Sequence, residues 1–95
     1  MFARTTIPPQ ELMTRIADVV AELPGTEIVT QNDRYLHAEV TSRIFRFVDD
    51  LEIAIVGDSE IVVRSSSRVG RSDLGVNRNR VEDLRSRLTV ADVLR

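Results

Sequence analysis

Ninety-five residues make one domain, enough for a single hydrophobic core and too few for two. A hydrophobic content of 42% and a charged content of 29% are globular values that exclude disorder, and a net charge of −2 gives no electrostatic case for nucleic-acid binding. The chain has no cysteine and one histidine, His37, which excludes disulfides, thiol chemistry and a multi-histidine metal centre.

All thirteen basic residues are arginine. Arginine offers a planar fork of donors that pairs bidentately with carboxylate or phosphate, so the set favours fixed contacts over loose surface charge. The charge is also unevenly divided. Residues 1–63 carry five arginines and eleven acids, whereas residues 64–95 carry eight arginines and four acids. In one compact domain these two halves must lie together, and internal ion pairing follows. The opening Met1–Thr6 lacks the apolar segment of a secretion signal, and no stretch is long and apolar enough to span a membrane, so a cytoplasmic protein is expected.

Pro8-Pro9 opens the first predicted helix, since proline is tolerated in a first turn. Leu12, Ile16, Val19, Val20 and Leu23 then form one apolar stripe, and Pro24-Gly25 ends it. Four strands follow. Glu27–Gln31 is short, and Asn32-Asp33 turns it into Arg34–Thr41, which alternates Leu36, Ala38 and Val40 with Tyr35, His37 and Glu39. Ile44–Val56 is long, and Gly57–Ser59 turns it into Glu60–Val69. A loop over 70–75 leads to a second helix, roughly Asn77–Leu88, with Val81, Leu84 and Leu88 inward; the tail to Arg95 is read as a further helical turn.

Alternation sets which residues face each other. A three-residue loop at 57–59 pairs Ile55 with Ile61, Ile53 with Val63, Leu51 with Ser65, Glu52 with Arg64 and Asp50 with Ser66. A short loop at 41–44 pairs Val40 with Phe45, Ala38 with Phe47, Glu39 with Arg46 and His37 with Val48. Two amphipathic helices are available to cover one sheet face. The predicted fold is α+β, a two-layer sandwich in which a four-stranded antiparallel meander is covered on one face by an N-terminal and a C-terminal helix, in the order α-β-β-β-β-α. The edge strand Glu27–Gln31 is compatible with dimerisation, but the sequence sets no oligomeric state.

Three polar constellations result. The outer sheet face carries His37, Asp50, Glu52, Arg64 and Arg68, which make either a lattice of cross-strand ion pairs or a platform for an anion. Asp49 points to the apolar face beside Ser65 and Ser67. A carboxylate there needs hydrogen bonds or a cation, so it is read as a structural clamp that ties the 68–77 loop to the sheet, completed by an arginine or backbone amides of that loop. Finally, the glycine-bearing segment 70–78 runs into a helix start with Asp73, Asn77, Arg78 and Arg80 nearby. Such a start can receive phosphate or carboxylate, while Asp73 or Asn77 can equally cap the helix. The segment matches neither a Walker loop nor a dinucleotide fingerprint.

The blocks YLHAEVTSRIFRFVDDLE (Tyr35–Glu52) and VVRSSSRVGRSDLGVNRNRVEDLR (Val62–Arg85) resemble the family catalogued as domain of unknown function 1499, from about Ile28 to Leu88. Family members often begin with an upstream Asn-Cys-Val-Ser-Ser-like segment, some after a signal or membrane anchor, and these 95 residues contain neither. The resemblance implies a single domain over 1–95 and adds no activity.

The sequence therefore points to a non-enzymatic binding module. Arg64, Arg68, Arg78 and Arg80, with Asp73, Asn77, His37 and Asp50, would receive an anionic small molecule or an acidic partner protein. No cofactor, metal or nucleic acid is implied. The alternative is a structural or protein-interaction domain whose Arg-Asp network only stabilises the fold. Catalysis by His37 and Asp50 ranks third, because no nucleophile accompanies the histidine.

Overall fold

The structure is a computed structural model that describes residues 2–5, 7–41, 47–57, 60–68, 75–91 and 93–94. Its elements are β1 (Phe2–Arg4), α1 (Pro9–Ala21), β2 (Thr26–Gln31), β3 (Tyr35–Thr41), β4 (Val48–Val56), β5 (Glu60–Ser67) and α2 (Val76–Val90). The antiparallel sheet has the order β1-β5-β4-β3-β2, and two helices cover one face. The α-β-β-β-β-α order is thus as the alternation and the apolar stripes indicate. The structure adds β1, a three-residue strand along β5 that pairs Phe2 with Val62 and Arg4 with Glu60.

The apolar inward positions of β3, β4 and β5 are Leu36, Ala38, Val40, Leu51, Ile53, Ile55, Ile61 and Val63, all buried. Above them lie Leu12, Met13, Ile16, Val19, Val20 and Leu23 of α1 and its exit, and Leu84 and Leu88 of α2. Burying each such side chain contributes about 1.5–3 kcal/mol, so this layer supplies most of the driving force for folding. The α1–β2 turn allows only glycine at position 25. Gly25 has φ 71°, and a Cβ there would run into the carbonyl oxygen of Thr41. Its own carbonyl accepts from the Thr41 N–H at 2.9 Å, tying the turn to the end of β3. The β2–β3 turn is closed by Asn32, whose Oδ1 accepts from the backbone N–H groups of Arg34 at 2.9 Å and Tyr35 at 2.8 Å. Within β2 the register slips between Ile28 and Thr30, and Val29 stands out from the ladder.

The β4–β5 register is as predicted: Ile55 pairs with Ile61, Ile53 with Val63, Leu51 with Ser65, Glu52 with Arg64 and Asp50 with Ser66. The β3–β4 register corrects the sequence reading. Val40 lies opposite Asp49, not Phe45; Ala38 opposite Leu51, not Phe47; His37 opposite Glu52, not Val48; and Glu39 opposite Asp50, not Arg46. β4 accordingly begins at Val48, and Phe47 lies outside it, 53% exposed. The physical reason is parity. A slip of four residues leaves every side chain on its original face, so the apolar alternation is satisfied equally by both registers. Phe45 and Arg46 lie outside the described residues.

α2 runs to Val90, two residues past the predicted end, but the chain does not continue as helix to Leu94. The N–H of Val93 returns to the Leu88 carbonyl at 2.8 Å, a bond of the kind that closes helix ends, and Val93 and Leu94 tuck their side chains into the core. No described helix is long and apolar enough to cross a membrane.

Candidate functional site

The sheet divides the polar residues into two groups. On its inner face, at the end of the core, β4 presents Asp49 and β5 presents Ser65 and Ser67. Over them α2 lays Asn77 and Arg80, one helical turn apart. Arg80 Nη1 donates to Asp49 Oδ2 at 2.8 Å, to Asn77 Oδ1 at 2.7 Å and to Ser65 Oγ at 3.1 Å. Asn77 Nδ2 donates to Ser67 Oγ at 2.8 Å, and the Ser65 hydroxyl donates to Asn77 Oδ1 at 2.5 Å. The Asp49 and Arg80 side chains are only 10% and 12% exposed. Asp49 is therefore the inward clamp that its alternation indicates, with Ser65 and Ser67 beside it, but its cation is Arg80 of α2 rather than a group of the expected 68–77 loop.

α2 starts from Gly75, whose φ of 84° is a left-handed conformation that suits glycine. The Asn79 N–H closes the first turn on the Gly75 carbonyl at 2.9 Å. Asn77 lies inside the helix and reaches the sheet, so it does not cap; Asp73 lies outside the described residues.

On the outer face, Glu39 and Asp50 stand directly opposite each other as cross-strand partners. Like charges so placed repel. Arg68 resolves the conflict: Nε and Nη2 hold Asp50 at 3.0 and 2.9 Å, and Nη2 also donates to Glu39 at 2.5 Å. His37 Nε2 meets Asp50 Oδ1 at 2.7 Å from the other side. Hydrogen bonds first from Arg68 and then from His37 hold the Asp50 carboxyl down at about 2. Tyr35 donates its hydroxyl to Glu52 Oε2 at 3.2 Å, and partial burial followed by that carboxylate pushes the phenol above its ordinary value. Glu52 stands opposite Arg64 in the register but takes its hydrogen bond from Tyr35. Arg64 is exposed on β5 and Arg78 is exposed on α2.

The seven described residues of the predicted site thus do not share one cleft. His37, Asp50, Arg64 and Arg68 belong to the outer face; Asn77 and Arg80 belong to the inner network. Among the described residues, one opening is a cleft of about 660 Å³ where the α1–β2 turn, the end of β3 and the first turns of α2 meet. Leu23, Pro24, Gly25, Val40 and Thr41 form one wall, and Val76, Asn79, Arg80 and Asp83 the other. Of these only Arg80 is among the residues that the sequence nominates for a binding site. Val76, Arg80 and Asp83 recur at i, i+4 and i+7, a helical face visible in the sequence that an apolar-stripe criterion passes over.

Only one nitrogen of the Arg80 guanidinium is consumed by the network. Among the described residues the only fully buried polar side-chain atom without a partner is Thr26 Oγ1. Nε and Nη2 of Arg80 have no hydrogen-bond partner among the described residues and are not among the buried unpaired atoms, so they keep some contact with solvent where Arg80 lines the cleft. Among the described residues no cluster of His, Cys, Asp and Glu is arranged to hold a metal ion.

The family model described as Protein of unknown function (DUF1499) matches residues 2–88, nearly the whole chain. The chain belongs to that family. The match spans both polar groups and both walls of the cleft, so all of these residues fall within the DUF1499 domain. No curated protein and no solved structure matches the chain.

Proposed function

We propose that this DUF1499 protein is a non-enzymatic binding module that receives an acceptor-bearing ligand, a small anion or a partner's carboxylate, in the Arg80 cleft. The observation that carries the reading is the half-used guanidinium. Asp49, Asn77 and Ser65 fix Arg80 through Nη1, and its other nitrogens have no partner among the described residues where Arg80 lines a cleft of about 660 Å³. A donor held in place before the ligand arrives loses little entropy on binding. A cleft of this size suits a small molecule. A cytoplasmic setting, with acidic metabolites at hand, is part of the same proposal.

The test is thermal unfolding in the presence of phosphate, sulfate and small carboxylates, with Val76→Trp as a variant that fills the cleft without touching the network. A ligand at 100 times its Kd adds about 2.7 kcal/mol of stability. The gain should vanish in Val76→Trp. If no anion moves the unfolding midpoint, the reading falls.

A second reading is favoured by a different observation. Arg68 is occupied by Asp50 and Glu39, and Arg80 is anchored by Asp49, so both arginines have structural work. On that reading the domain is a structural or protein-interaction unit. Its variants then lose stability with no ligand response to lose.

A further inference from the structure

We infer that the ligand class of the Arg80 cleft is an amphipathic monocarboxylate, a single carboxylate on an apolar body, in preference to an inorganic oxyanion. The inference rests on the binding reading above and adds the identity of the ligand to it.

Three features select this class. The first is the donor geometry. A guanidinium presents two forks, one made by Nη1 and Nη2 and the other by Nε and Nη2. Asp49, Asn77 and Ser65 occupy Nη1, which leaves the Nε and Nη2 edge, a fork that fits the two oxygens of one carboxylate. The second is charge. Asp49 lies 2.8 Å from Arg80, and Asp83 lines the same cleft while sharing Arg87 at 3.1 Å. The Arg80 charge is therefore already matched by Asp49. No surplus positive charge awaits either kind of anion, and the Asp83 carboxylate repels a dianion more strongly than a monoanion, so the singly charged ligand is the less disfavoured of the two. The third is the apolar wall. Leu23, Pro24, Val40 and Val76 line the cleft, and an inorganic anion leaves that surface wet while an alkyl or aryl body covers it.

The experiment is an amide NMR titration of the intact chain with acetate, butyrate and hexanoate, with hexanamide, phosphate and sulfate as comparisons. Hexanoate should move the resonances of Gly25, Thr41, Val76 and Asn79, and affinity should rise by up to about fourfold per added methylene. Hexanamide should bind at least tenfold more weakly than hexanoate, and Val76→Trp should abolish the hexanoate response. Phosphate or sulfate moving the same resonances more strongly than hexanoate would overturn the inference and leave the binding reading standing. Equal binding of hexanamide and hexanoate would overturn the carboxylate assignment. If none of the compounds moves the cleft resonances, the inference and the binding reading fall together.

Discussion

α1 and α2 cover the same sheet face by opposite means. α1 meets it with an unbroken apolar stripe from Leu12 to Leu23, so its attachment is non-directional and scales with area. α2 buries only Leu84 and Leu88 fully, in its second half, with Val81 partly buried against the same core. Its first half is fastened by Asn77 and Arg80 to Asp49, Ser65 and Ser67. Apolar contact tolerates small shifts of a helix, whereas three acceptors around one nitrogen do not. The lesson is that one helix supplies cohesion and the other supplies position, and the cleft lies on the side that is positioned.

The sharpest way to break the comparison is to remove the cation. Arg80→Ala leaves Asp49 buried and unpaired and should cost about 3–5 kcal/mol in urea unfolding. The paired change Asp49→Leu with Arg80→Met should restore most of that loss, because two apolar groups can replace a buried ion pair with little net change. If the paired variant is as unstable as the single one, the network contributes cohesion and the contrast with α1 fails.

On α1 the expected effect is smaller and graded. Ile16 is fully buried, and Ile16→Val removes one methylene at a cost of about 0.5–1.5 kcal/mol. Chemical shifts of α2 should hardly change. Large shifts around Asn77 and Arg80 in this variant would show that the two helices are not independent.

The smallest effect belongs to the outer face, where the ion pairs are more exposed. Asp50 titrates at about 2 in the fold against an ordinary 3.8, so its carboxylate is favoured by folding. A depressed carboxylate stabilises the fold above the unfolded value, and that contribution is lost as pH falls from about 4 towards 2. Arg68→Ala removes the main cause of the depression. The stability difference between the parent and Arg68→Ala should therefore be present at pH 7 and shrink between pH 4 and 2.5 in urea titrations. A difference that stays constant with pH would rule out this linkage.

Much of this arrangement can be read from the residues alone, for definite reasons. The stripe Leu12, Ile16, Val19, Val20 and Leu23 has helical spacing and no competing pattern. Asp49 is legible as an inward carboxylate because alternation fixes its face, whatever the register. The β3–β4 register is not legible, since a slip of four preserves every face and the apolar pairs Val40–Phe45 and Ala38–Phe47 look better than the real ones. The real register sets Glu39 against Asp50, a clash that makes sense only once Arg68 is in place. The partnership of Asp49 with Arg80 joins residues 31 apart in the chain, and a polar helix face gives no periodic signal of what it will meet. β1 pairs only three residues, too few to show alternation.

The slip at Val29 has a bearing on how copies of this protein meet in solution. β2 is one edge of the sheet, and a flat edge with free backbone groups invites another chain to add a strand. Val29, 51% exposed, breaks the ladder midway along β2, and the opposite edge, β1, is only three residues long. On the β2 edge the free donors and acceptors therefore do not form one straight run. Straightening β2 by deleting Val29 would expose such a run, so this one extra residue guards against strand-by-strand aggregation.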